Sequence, residues 1–269
     1  MLVGGGRADR LSAELTSAIA SGARRFLSFG LAGGLAPHLR AGDLLVAENV
    51  HDEGRHFSCD PLWRSAICRR LVRGREPDAR DVAHLSGPWE PSRVGIFRFV
   101  RSVGWRSIEN GGPCSPAPDI AGVDAPVVDV ASKRALFAET GAAAVDMESA
   151  IVARAARRHG LPFAILRAIV DPAHRPLPNS AVVATDLNGR VNVSAALGSL
   201  VREPRQLYST TRLGFDARKA FTALVRGRAL LGPDFASGSL DDVRTTDKDK
   251  HEPELIERSI GSQAAVLDA

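Results

Sequence analysis

The stretch Phe163 to Val170 is a near-continuous apolar run. A run of this kind, bounded by turn residues, is what a central strand covered on both faces requires. It follows a segment, Met147 to His159, with the apolar period of a helix, closed by Gly160 and Pro162. Glycine serves as a left-handed cap and proline blocks further helix. Strands and helices alternate along much of the remaining chain. The predicted fold is therefore α/β, with a central mixed, largely parallel sheet flanked by helices.

Other elements follow from the same signals. Leu2-Val3 and three glycines read as a strand end and turn. A helix is predicted over 7–22, with Leu11, Leu15, Ala18 and Ile19 on its apolar face. Phe26 to Phe29 reads as a buried strand ending in the glycine turn Gly30 to Leu35, and Leu44 to Val50 as the next strand. Strands are also predicted over 127–130 and 143–145, and helices over 132–140, 191–201 and 217–231. Residues 73–118 are rich in Pro, Gly, Arg and Trp, lack a period, and read as an irregular insertion. The expected domain is 1–235, and the charged stretch 236–269 reads as a disordered tail.

The formal charge is +4 and the pI about 9.3, mostly from scattered arginines. The leading reading is a solvated surface; no basic stripe is interleaved with aromatics, so nucleic acid is a weaker alternative than an anionic membrane, and no nucleic-acid partner is expected. No apolar run approaches the roughly 20 residues of a membrane span. Cys59, Cys68 and Cys114 are odd in number and lack metal-site spacing. They are expected to be free thiols in a reducing cytoplasm, with no metal site.

In an open α/β sheet, ligands bind beyond the carboxyl ends of the strands. Three such ends carry chemistry. Gly30 to Gly34 would let backbone approach a flat base or a phosphate, although on this segment alone a tight strand-to-helix turn is the stronger reading. At Val145-Asp146-Met147-Glu148, Asp146 reads as a helix cap, while Glu148 could hold two adjacent ribose hydroxyls with Met147 packed on the sugar. At Arg167 to Asp171, Asp171 leaves the buried strand before Pro172. An Asp-Pro turn accounts for it, and so does a general acid whose pKa is raised by burial and which protonates a purine N7.

These segments, in this order, resemble the purine nucleoside phosphorylase and 5′-methylthioadenosine/S-adenosylhomocysteine nucleosidase superfamily. The resemblance covers roughly residues 1–72 and 119–235. Within it, Ala121 to Pro126, Val130 to Lys133, His159 to Phe163 and Leu230 to Pro233 are most similar to the hopanoid-associated phosphorylases. The resemblance implies the superfamily's three-layer fold and cleavage of an adenine nucleoside, adenosylhopane to ribosylhopane and adenine. It implies Asp171 as catalytic acid, with Ala32, Gly33, Val127, Met147 and Glu148 binding substrate. It implies no cofactor beyond phosphate as an optional co-substrate. The implied partner is a lipid-linked purine nucleoside, handled by a cytoplasmic homo-oligomer peripheral at the inner membrane face.

Three points depart from the family pattern. Family members open with an additional strand that carries a water-activating acid, and the expectation is that this strand is missing before Leu2. The insertion at 73–118 is long. The phosphate-binding arginine and serine of the phosphorylases correspond to Ser28 and Leu31. Without a guanidinium there, water is favoured over phosphate as nucleophile. The competing expectations are a methylthioadenosine/S-adenosylhomocysteine nucleosidase, and a catalytically impaired nucleoside-binding protein. Pro126 stands where those nucleosidases place an aromatic, which weakens the first.

Overall fold

The computed structural model describes residues 8–73, 96–100, 104–107, 118–177 and 207–237. The expected first strand, the helix at 191–201, Cys114 and the tail from 238 onward lie outside these residues.

The core ladder pairs β1 (Phe26–Gly34) with β9 (Phe163–Asp171), parallel from Phe26 opposite Phe163 to Ala32 opposite Ile169. Side chains alternate across the two strands. One face sends Ala32, Phe163, Ile165 and Ile169 into a core against α1 (Ala8–Ala20) and α4 (Ser149–Arg158). The other sends Ala164, Leu166 and Ala168 into a second core against α2 (Pro61–Arg73) and α5 (Leu207–Leu231). The expected layering, helices on both faces of a mixed sheet, is therefore present.

The remaining strands are β2 (Leu44–Val46), β3 (Asn49–Asp52), β4 (Arg55–Ser58), β5 (Ile96–Val100), β6 (Gly104–Ser107), β7 (Ile120–Gly122) and β8 (Ala144–Asp146). The sheet order is β4-β3-β7-β8-β1-β9-β2-β5-β6. Between β7 and β8 lies α3 (Val130–Thr140).

Five expectations need correction. The sheet is mixed but not largely parallel: only β1–β9, β3–β7 and β7–β8 are parallel among eight pairings. Both edges are hairpins, which short connections favour. The β3–β4 turn is Glu53-Gly54 with φ 48° and 76°, the two positive angles of a tight hairpin loop. Second, residues 73–118 are not irregular throughout, because β5 and β6 extend the sheet from β2.

Third, residues 127–130 form no strand. Asp129 caps α3 by accepting from the Ser132 N–H at 2.8 Å, so the helix begins at Val130. Fourth, the glycines Gly30 to Gly34 are not a turn but the second half of β1. Fifth, the strand expected over 44–50 is two strands. Ala47 N–H bonds Ile165 on β9, and Glu48 N–H bonds Pro118 beside β7. The chain thus crosses between separated parts of the sheet order, and the sheet curls.

The last described segment closes over α2. Trp63, almost fully buried, donates from Nε1 to the Phe235 carbonyl at 2.8 Å, and Phe235 stacks edge-on against Phe29. Ala236 is fully buried beneath them. Trp63→Ala removes a large core side chain and this clasp together. The expected loss is about 3–5 kcal/mol in urea denaturation.

Candidate functional site

At its carboxyl end β1 has two neighbours. The β1–β9 register shifts after Ala32, so Gly33 lies opposite Asp171, while Gly33 and Gly34 also pair antiparallel with Val145 and Ala144. A bulge of this type re-aims the strand end. A side chain at Gly33 would put its Cβ 3.2 Å from both Asp171 Oδ1 and Val145 Cγ1. The absent Cβ therefore lets three strand ends close on one another. Ala32, by contrast, packs its methyl into the first core.

Asp171 is 4% exposed. Its Oδ2 accepts from Lys133 Nζ, which also donates to the Arg175 carbonyl at 2.9 Å and lies 3.4 Å from that of Pro172. Burial pushes the Asp171 carboxyl above the ordinary range, and the adjacent Lys133 ammonium opposes it without cancelling it.

Across Gly33, β8 delivers Asp146, Met147 and Glu148. Asp146 is buried and does what a cap would do: Oδ1 accepts from Ser149 N–H at 3.0 Å and Oδ2 from Ser149 Oγ at 2.6 Å. Glu148 occupies the cap position of α4 but makes no side-chain capping bond. Its carboxylate is 26% exposed and lies 3.5 Å from Arg167.

Arg167 organises this half of the site. It rises from β9 opposite Gly30, where a Cβ would overlap its Nη1. Its Nη2 pairs with Asp146 and donates to Ser28 Oγ at 2.7 Å and Ser149 Oγ at 3.2 Å. Arg167 is 3% exposed, and its Nε has no hydrogen-bond partner among the described residues.

The loop between β7 and α3 joins the two halves. Val123 N–H bonds the Asp146 carbonyl, and Leu177 N–H bonds the Val128 carbonyl. Val127 packs on a small cluster of Leu35, Ala121, Ala142 and Val145. The structure thus brings Gly33, Val127, Met147, Glu148 and Asp171 to one end of the sheet. Sequence reasoning missed Lys133 and the ion pair of Arg167. The available signal for Arg167 was a cation inside a doubly covered strand.

Among the described residues, no three His, Cys, Asp or Glu side chains gather as a metal site would require. Cys59 and Cys68 are buried free thiols, and burial raises both.

Residues 120–203 match the family model of the phosphorylase superfamily. This match covers less than half of the chain. It holds Val127, Lys133, Met147, Glu148, Arg167 and Asp171, while Ala32 and Gly33 lie outside the match. No curated protein matches the chain. Solved structures similar to it include a futalosine hydrolase from Helicobacter pylori, at 24% identity over 73% of this chain and 76% of that one, TM-score 0.45. An S-adenosylhomocysteine nucleosidase from Streptococcus pyogenes shares 18% over 62% and 63%, TM-score 0.43. A methylthioadenosine/S-adenosylhomocysteine nucleosidase from Campylobacter jejuni shares 20% over 70% and 71%, TM-score 0.42.

Removing the Arg167 charge tests the buried network directly. Arg167→Met leaves the Asp146 carboxylate buried without its cation. The expected cost is about 3–5 kcal/mol by chemical denaturation. A loss no larger than that of an exposed substitution would contradict the pairing.

Proposed function

We propose that the chain hydrolyses the N-glycosidic bond of an adenine nucleoside. The observation that carries this reading is the placement of Asp171. It is a buried carboxyl with a raised pKa, packed against Gly33 at the end of the sheet, with a second, more exposed carboxylate, Glu148, across the same sheet end.

The base lies beside Asp171 and the ribose lies towards Met147. Glu148 accepts hydrogen bonds from the two ribose hydroxyls. As the C1′–N9 bond breaks, its electron pair moves onto the purine. Asp171 donates its proton to N7, so the base leaves neutral. Water adds to C1′ and loses a proton. Two carboxyl groups held in different environments do different jobs, the buried one acid and the exposed one an anionic acceptor.

Water is favoured over phosphate for a reason the structure refines. A guanidinium does stand beside Ser28, that of Arg167, but it is paired with Asp146 and neighbours Glu148. Two carboxylates beside a phosphate site would repel the dianion.

For the 5′ substituent, the reading is a lipid, as in adenosylhopane, taken up by a cytoplasmic homo-oligomer working at the inner membrane face. Helix α5 supports the membrane contact. It exposes Phe215 (62%), Phe221 (56%) and Val225 (69%), with Arg218 and Lys219 exposed among them. An open cleft of about 820 Å³ joins this face to Pro172, next to Asp171. Apolar side chains flanked by cations suit an anionic bilayer. No helix of the described residues is long and apolar enough to cross one.

Asp171→Asn is expected to lower adenine release by about 10²–10⁴-fold while nucleoside binding persists. Full activity in the folded variant would end the assignment. Glu148→Gln should harm ribonucleosides more than their 2′-deoxy counterparts, and equal losses on both sugars would reduce Glu148 to a helix-start residue. Separately, Phe215→Ser with Phe221→Ser should abolish co-sedimentation with phosphatidylglycerol vesicles and leave turnover of soluble adenosine unchanged. Unaltered vesicle binding would remove α5 from the membrane contact.

A further inference from the structure

The mechanism above uses Asp171 but leaves unexplained the lysine buried against it. Lys133 has 0% exposure, and lysine is almost never fully buried without a partner. All three of its ammonium hydrogens have acceptors within reach: Asp171 Oδ2, the Arg175 carbonyl and the Pro172 carbonyl. A neutral amine would satisfy three acceptors poorly, so the ammonium is the form this site fits.

The geometry points to Lys133 as a positioning residue for the proton transfer from Asp171, holding its carboxyl group and neutralising the carboxylate that forms there. This rests on the proposed reaction.

In the proposed reaction Asp171 acts from its protonated form. When the O–H bond breaks and the proton goes to N7, the pair left on the oxygen is a buried negative charge. In an apolar environment that charge is costly, and burial alone would make Asp171 a poor acid. Lys133 sits where the charge develops and is ordered before it does, so no reorganisation is needed.

No other described charge takes this role. On β1 the neighbour of Asp171 is Gly33, and Val145 of β8 packs on that same glycine; neither carries a charge. Asp146 and Arg167 are paired with each other, and Glu148 lies against Arg167. The guanidinium of Arg175 is turned to Asp216 on α5, which also receives Lys219. The opposing effects of burial and of Lys133 on Asp171 agree with this division of work.

The anchoring is also structural. Lys133 lies in the first turn of α3, whose start Asp129 fixes. Its bonds to Pro172 and Arg175 hold the chain immediately after Asp171, so the carboxyl group and its loop are oriented by the same ammonium.

The test is Lys133→Met in the full chain, which keeps the volume and removes the charge, assayed for adenine release across pH. The expected result is a fall in kcat of about 10²-fold, the scale of removing one electrostatic stabiliser, with KM little changed. The alkaline limb, where Asp171 loses its proton, should move to higher pH, because the group that favours the carboxylate is gone. In an Asp171→Asn background the same substitution should have no further effect on kcat.

An unmoved alkaline limb, or the same loss of kcat in both backgrounds, would overturn the proposal and reduce Lys133 to a packing residue. Full activity of Asp171→Asn alone would instead overturn the proposed reaction, and this role of Lys133 with it. Should Lys133→Met fail to fold, Lys133→Gln retains the reach and a donor without the charge, and carries the same expectations.

Discussion

The β1–β9 ladder is the constraint on which the rest of the molecule depends. It divides the helices into two layers and supplies the inner face of both cores. Its register shift after Ala32 brings Gly33 opposite Asp171. A strand that stayed in register would have paired Gly33 with Val170, an apolar residue packed on the second core, and the carboxyl would have lain one step further from the glycine. The bulge thus ends a packing ladder on a buried carboxyl group set against a glycine.

Around that end the protein buries two cations, which is expensive. Arg167 compensates through Asp146, Ser28 and Ser149, and Lys133 through Asp171 and two carbonyls. Replacing such a pair by apolar residues often costs nothing in stability, so stability alone does not account for both. They divide the site instead. One cation fixes Asp146 at the end of β8, and the other fixes Asp171 at the end of β9.

Much of this was legible in the sequence. The helix α4 and strand β9 follow from apolar period and the Gly160–Pro162 stop, and α1 from Leu11 and Leu15. The Asp171 and Met147-Glu148 motifs fell at strand ends as expected. What failed did so for identifiable reasons. Glycines at 30–34 look like a turn because they lack side chains, yet here each empty position is filled by another strand, Arg167 under Gly30 and Asp171 beside Gly33. The apolar stretch 127–130 has strand character locally, but the cap at Asp129 decided for helix. For α2 the signals were present and unused: Asp60 before Pro61, then Trp63, Ile67 and Leu71 at helical spacing. The partners of Lys133 and Arg167 depend on which strands meet, which no local pattern encodes.

The loop between β7 and α3 is tied by Val123 to the segment of Glu148 and by Val128 to the segment that follows Asp171. It therefore behaves as a hinge pin shared by two doors. A change that shifts this loop disturbs the segment of Glu148 and the segment that follows Asp171 together. Helix α5 is fastened to that same segment from the other side, through Asp216 and Arg175.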